Sequence, residues 1–146
     1  MDSRTGLPVV GMVGGGQLAR MTHQAAVALG QALHVLADSD EDAAALVAHD
    51  VMVGDYRDVT VLSAFADGCD VLTWDHEHVP NEHVRTLGEA GIAVHPGPDA
   101  LRYAQDKIVM RRKLTELGIA CPRWLDLTKT PDPAGALDEF ARQVGW

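Results

Sequence analysis

The chain has 146 residues, 47% apolar and 23% charged, enough for one domain with a packed core and the start of a second. Its 21 acidic against 12 basic side chains give a formal net charge of −9, which argues against non-specific binding to nucleic acid or an anionic membrane. No apolar run approaches the ~20 residues that cross a bilayer, and the N-terminus lacks the basic and apolar regions of a signal peptide.

Residues 2–7 read as a short, polar, disordered leader. An apolar strand over 8–13 runs straight into Gly14-Gly15-Gly16, and a helix over 17–29 follows without a spacer. Helical spacing puts Leu18, Met21, Thr22, Ala25, Ala26 and Leu29 on its inner face, with Gly30 at C′. Residues 32–37 form a second strand, Asp38-Ser39-Asp40 a turn and N-cap, and 41–48 a short Ala-rich helix. A third strand (51–53) precedes a helix over 58–67 that turns Val59, Leu62, Phe65 and Ala66 inward. Asp70–Trp74 is a fourth strand, and Pro80 opens a helix over 80–90 at its N1 position. Ile92–Val94 is a fifth strand, broken by Pro96-Gly97-Pro98.

This alternation predicts an α/β fold: a Rossmann-like open parallel sheet with helices on both faces, complete by residue 97. One basic helix follows over 98–117, with Leu101, Ala104, Ile108, Leu114 and Leu117 as its apolar set, stopped by Gly118. An extended segment (123–127), a Thr/Pro/Asp linker and a helix over 134–144 complete the chain. Gly145 and Trp146 read as a helix cap and the first residue of an unbuilt strand. The expected organisation is therefore one domain over 1–97 and the front part of another over 98–146 of a longer protein.

Three groups of residues carry chemistry. A strand–glycine–helix turn lets a phosphate reach backbone N–H groups at a helix N-terminus. Gly14-x-Gly16-x-x-Ala19 also fits the dinucleotide fingerprint, with Asp38 standing 22 residues after Gly16 as a ribose partner. That leaves a nicotinamide-dependent oxidoreductase, a ribonucleotide loop and a turn built only for packing as alternatives. Gln17 tilts the choice toward a ligand held against the loop, because it occupies the first exposed helical position. The second group, Asp75-His76-Glu77-His78, follows the fourth strand at the carboxyl edge of the sheet, where open α/β folds bind ligands. Its carboxylates suit ribose hydroxyls. A metal is the weaker reading, since no further ligands have metal-site spacing. The third group is Arg102, Lys107, Arg111, Arg112 and Lys113, by composition a solvated basic face.

These pieces occur together, in order, in one known family: Gly14–Met21, Gly54-Asp55-Tyr56, Asp75–Pro80, Pro98–Lys107 and Leu114–Pro122. The chain resembles the N5-carboxyaminoimidazole ribonucleotide synthases, ATP-grasp ligases of de novo purine synthesis. The resemblance implies a pre-ATP-grasp domain, like the N-terminal domain of biotin carboxylase, over 1–97 and the beginning of the ATP-grasp domain over 98–146. It implies a cytoplasmic enzyme, homodimeric at full length, that uses ATP and bicarbonate to carboxylate 5-aminoimidazole ribonucleotide. Carboxyphosphate would be the intermediate, with magnesium on the ATP phosphates. It implies further that Gly14, Gly15, Gly16, Gln17 and Leu18 face the ribonucleotide, with its 5′-phosphate near the helix N-terminus. Asp75, the acid that opens the Asp75-x-Glu77 pair, would bind the ribose, a role Glu77 could share, and Lys107 would contact ATP. The family's glycine-rich lid, its magnesium carboxylates and its catalytic residues are expected beyond Trp146, so these 146 residues alone are expected to be inactive. Many relatives carry Glu-Phe-Glu-Asn-Val at 75–79, so Asp75 is one methylene short of the family's glutamate. Gln17 favours this substrate over that of formate-dependent glycinamide ribonucleotide transformylases, which tend to carry Glu there.

Overall fold

The computed structural model describes residues 1–31 and 33–146. Ala32, the first residue of the predicted second strand, lies outside the described residues. Two compact units are present, Met1–Leu101 and Arg102–Trp146.

The first unit is an α/β layer structure. Its four strands are β1 (Val10–Val13), β2 (Leu33–Ala37), β3 (Asp50–Val53) and β4 (Val71–Trp74), all parallel in the order β3-β2-β1-β4. Helix α1 (Gln17–Ala28) links β1 to β2, α2 (Val59–Ala66) links β3 to β4, and α3 (Asn81–Glu89) follows β4. Helix α4 (Pro98–Gln105) contributes Leu101 to the same unit. Both faces of the sheet are covered, so side chains of opposite pleat enter different cores. Leu33, Val35 and Ala37 of β2 join Met12, Ala19, Ala26 and Ala44 in one cluster. Leu36 of the same strand joins Val13, Leu62, Phe65, Leu72, Trp74, Val84 and Leu87 in the other.

Several expectations fail for physical reasons. Residues 1–7 are not a free leader. They form a turn whose Arg4 bridges Asp2 and Asp50, while the N-terminal ammonium meets Asp70 at 2.5 Å. On α1 the inner face is Ala19, His23 and Ala26, whereas Leu18, Met21 and Leu29 are 61%, 62% and 80% exposed. The direction in which the glycine turn launches α1 puts Ala19, His23 and Ala26 against the sheet and leaves the larger apolar side chains outside. Residues 41–48 form turns rather than a helix, because the Ala44 N–H bonds Gly15 O (2.8 Å) across the structure instead of a carbonyl of its own turn. Pro80 is the N-cap of α3, not its N1 residue. The fifth strand is a single bridge, Leu72↔Val94. Beyond it Pro96 and Pro98 have no N–H to extend a ladder, and the Pro96 carbonyl instead accepts from Trp74 Nε1 at 3.0 Å.

The predicted helix over 98–117 is two helices, α4 and α5 (Lys107–Glu116). Asp106 divides them: its backbone is extended, and its carboxylate caps α5 by accepting from the N–H groups of Ile108 (2.8 Å) and Val109 (3.0 Å). The second unit continues through an extended segment to α6 (Pro133–Val144), capped by Asp132 and ended by Gly145 at φ +88°. Arg112 pairs with Asp126 (2.6 Å), and Arg123 donates to Gln143 O (2.7 Å), tying the extended segment to both helices.

Candidate functional site

The strand order places the site. The chain leaves β1 toward β2 and β3, then returns to the other side of β1 as β4. Ligand crevices of open sheets form at this reversal, beyond the carboxyl ends of the two central strands. The segment after β1 is Gly14–Gly16, and the segment after β4 begins with Asp75.

Glycine is required here by contact as well as by conformation. Gly14 has φ +110°, outside the range of L side chains, and a Cβ on it would stand 1.7 Å from Asp75 Oδ1. A Cβ on Gly15 would stand 2.6 Å from Asp42 Oδ2 and 2.8 Å from Ala37 Cβ. The loop is held at every residue. Gly14 N–H donates to Leu36 O (2.9 Å), Gly15 O accepts from Ala44 N–H, and Gly16 N–H donates to Asp75 Oδ2 (3.0 Å). Gly16 is the N-cap of α1, so the N–H groups of the first turn have no partner within the helix. Gln17 and Leu18 stand there, both exposed.

Asp75 is nearly enclosed, its side chain 5% exposed. Oδ1 is buried and has no hydrogen-bond partner among the described residues. His76 Nε2 lies 3.6 Å from it, beyond hydrogen-bond length. The His78 N–H donates to His76 Nδ1 (3.2 Å), so in neutral His76 the ring proton sits on Nε2, the nitrogen facing Asp75. The His76 ring lies 4.7 Å from Tyr56 and 5.4 Å from His78. Tyr56 is 4% exposed, with Arg57 over its ring at 4.4 Å and bonded to its hydroxyl at 2.8 Å. Burial pushes the Tyr56 phenol up; Arg57 opposes this, and Asp38, Asp55 and Asp75 reinforce it. The segments after β2, β3 and β4 thus converge on one acid-rich mouth beside the glycine loop.

Residues 75–77 bend, and the side chains of the sequence neighbours Asp75 and His76 touch. Glu77 is half-buried in the same segment. Asp38, the dinucleotide fingerprint's acid, is exposed at the end of β2, and its N–H donates to Asp42. Asp42 escaped the sequence reading. Its carboxylate accepts from Asp38 N–H (3.0 Å) and Ser39 N–H (3.3 Å) while packing on Gly15. The available signal was the run Asp38–Asp42 itself, since aspartate after a strand favours side-chain-to-backbone turns over helix interiors. In the second unit Lys107 is exposed and donates from Nζ to Ala104 O at 3.2 Å. It is the first residue of α5, where the helix field disfavours a cation. Among the described residues no three His, Cys, Asp or Glu side chains gather as a metal site, so none is assigned to magnesium. No helix among the described residues is long and apolar enough to cross a membrane.

The mouth combines an electropositive helix N-terminus with buried and half-buried carboxylates. It suits a small molecule that carries an anionic group and hydroxyl donors together.

Residues 7–105 match the family model for the ribonucleotide synthetase pre-ATP-grasp domain. The chain is 53% identical over 137 residues, 94% of its length, to N5-carboxyaminoimidazole ribonucleotide synthase of Mycobacterium tuberculosis. It is 47% identical over 127 residues to the protein of that name from Corynebacterium ammoniagenes, covering 87% of this chain. In each case it spans 31% of the relative, about a third of its length. Among solved structures it is similar to N5-carboxyaminoimidazole synthase from Aspergillus clavatus in complex with ADP and 5-aminoimidazole ribonucleotide. There the TM-score is 0.77 at 30% identity, over 95% of this chain and 36% of the other.

Proposed function

Because the chain belongs to the ribonucleotide synthetase pre-ATP-grasp family, among the N5-carboxyaminoimidazole ribonucleotide synthases, we propose that it supplies the ribonucleotide side of such an enzyme's active site. The reaction is the ATP-dependent carboxylation of 5-aminoimidazole ribonucleotide by bicarbonate, a step of purine synthesis. The observation that carries this reading is the glycine loop at the β1–β4 reversal, closed on one side by Asp75 and on the other by Asp42.

In this reading Gly14, Gly15 and Gly16 bring the ribonucleotide against the backbone, with no side chain between. The phosphate lies near the first turn of α1, where Gln17 and Leu18 flank it. A carboxylate of the Asp75/Glu77 pair accepts the ribose hydroxyls. Lys107 contacts ATP; its exposure in the second unit leaves its ammonium accessible for that contact. Magnesium accompanies ATP and is held by residues other than those described. The setting is cytoplasmic, in keeping with two unpaired cysteines, Cys69 and Cys121. The whole enzyme is a homodimer; the exposed Met21 of α1 and Leu29 at its C-cap offer an apolar surface for assembly.

Calorimetric titration of the 146-residue chain with 5-aminoimidazole ribonucleotide tests the reading. Saturable binding is expected, with no enhancement of NADH fluorescence and no ATP- and bicarbonate-dependent product from this chain alone. NADH enhancement without ribonucleotide binding would establish the dinucleotide alternative instead. Turnover by the chain alone would refute the assignment of the ATP half to other residues.

A further inference from the structure

We propose that the cleft between α4 and α5 is an anion site, taking a single phosphate-type oxyanion on Arg102, Arg112 and Lys113. It lies wholly within the second unit, and it does not depend on the ribonucleotide reading above. By composition 102–113 is a solvated basic face, with five basic residues against one acid. The structure divides that face. Val109, Arg112, Lys113 and Glu116 recur at helical spacing and share one side of α5. They line a cavity of about 200 Å³ whose other wall is Arg102 and Tyr103, in the last turn of α4. Lys107 and Arg111 do not line it.

Charge at the cavity does not balance internally. Arg112 pairs with Asp126 at 2.6 Å, and Lys113 with Glu116 at 3.2 Å. Among the described residues no carboxylate pairs with Arg102; its guanidinium lies over the Tyr103 ring, 4.9 Å from the centroid. Stacking holds the planar guanidinium at the cavity wall and leaves its N–H donors free to bond in the plane. Three cations thus have two internal counter-charges. One of these, Glu116, belongs to an exposed i,i+3 pair, and such pairs contribute little. An incoming oxyanion takes the Arg102 fork, which suits two-point contact with its oxygens, and displaces Glu116 from Lys113. Volume limits the ligand. Pockets that enclose whole organic ligands run from about 300 to 1,000 Å³. A cavity of about 200 Å³ is smaller, so it fits one tetrahedral oxyanion group, with Val109 and the Tyr103 ring on its apolar side. The surplus of positive charge turns away a metal cation.

The test titrates the isotope-labelled 146-residue chain with inorganic phosphate, at an ionic strength held constant with chloride. The readouts are the Nε–H signals of Arg102 and Arg112 and the backbone amides of 102–116. Saturable shifts are expected, with a Kd on the order of 1 mM. Arg102→Ala is expected to weaken that affinity about tenfold or more, because it removes charged donors. Glu116→Gln is expected to tighten it about threefold, because the competing carboxylate is gone. Arg111→Ala removes a charge from the same helix outside the cavity and is expected to leave affinity within about twofold of the parent, since exposed charges act weakly at a distance in salt. A parallel titration with ribose 5-phosphate separates the two sources of the oxyanion: tighter binding than inorganic phosphate assigns a phosphate ester, equal or weaker binding the free ion. Shifts that never saturate overturn the site. Equal weakening by Arg111→Ala and Arg102→Ala overturns it too, because the effect would then be general screening of a basic face. Shifts at Gly14–Leu18 in the same titration report on the proposed function and not on this cavity, so each can fail alone.

Discussion

Gly14→Ala isolates the contact that shapes the loop. Two costs add. An alanine forced to φ +110° pays backbone strain of about 1–3 kcal/mol. Its Cβ would also stand 1.7 Å from Asp75 Oδ1, an overlap that relaxes only if the carboxylate leaves Gly16 or the backbone shifts, at about 1–3 kcal/mol more. The sum, about 2–6 kcal/mol, is a large share of the ~5–15 kcal/mol that stabilises an ordinary domain. Urea unfolding followed by circular dichroism, in a double-mutant cycle with Asp75→Ala, separates the two. Removing the carboxylate abolishes the overlap but not the strain, so Gly14→Ala is expected to cost about 1–3 kcal/mol less in the Asp75→Ala background. Equal costs in both backgrounds would refute the claim that Asp75 fills the space Gly14 leaves open.

The two faces of α1 and the core behave differently. Met21→Ser, on a side chain 62% exposed, is expected to change the stability of this chain by less than about 0.5 kcal/mol, whereas Leu36→Ala, at 1% exposure, costs about 2–5 kcal/mol by the same unfolding assay. Asp106→Ala removes the acceptor for the Ile108 and Val109 N–H groups and is expected to cost about 1 kcal/mol, with lower protection in the first turn of α5 by hydrogen exchange. The N-terminal turn is acid-labile. Arg4, then His49, holds the Asp50 carboxyl below its ordinary range; the N-terminal ammonium, then Val9 N–H, does so for Asp70. A depressed folded-state pKa stabilises above the ordinary carboxylate value of ~3.9 and loses that stabilisation as pH falls below it. The protection factor of the Val9 amide, bonded to Asp70 at 2.7 Å, is therefore expected to be constant from neutral pH down to about pH 4 and to drop below it. A constant factor through pH 3 would contradict the tether.

What could be read in advance was what short-range pattern controls. The runs read as strands at 8–13, 32–37, 51–53 and 70–74 correspond to β1 to β4, with ends that differ by one or two residues, and the order of motifs identifies the family. Features set by contacts distant in sequence were hidden. Both stripes of α1 contain apolar residues, so periodicity does not tell that Ala19, His23 and Ala26 are the ones that lie beneath the helix. The Ala-rich run at 41–48 has high helix propensity, but Ala44 N–H is taken by Gly15 O, 29 residues earlier. The place of Asp75 after β4 makes it a candidate site residue. That its carboxylate faces the loop rather than the open mouth depends on a one-methylene shortening and on the absence of a Cβ at Gly14, which no local pattern reveals.

The central claim is that a ribonucleotide sits between the glycine loop and the segment after β4. Backbone amide chemical shifts of the 146-residue chain, recorded during titration with 5-aminoimidazole ribonucleotide, test it directly. Saturable shifts concentrated at Gly14–Leu18 and Asp75–His78 are expected, with no matching response to NADH. Shifts absent from both segments at saturating ribonucleotide, or the same segments responding to NADH alone, would contradict it.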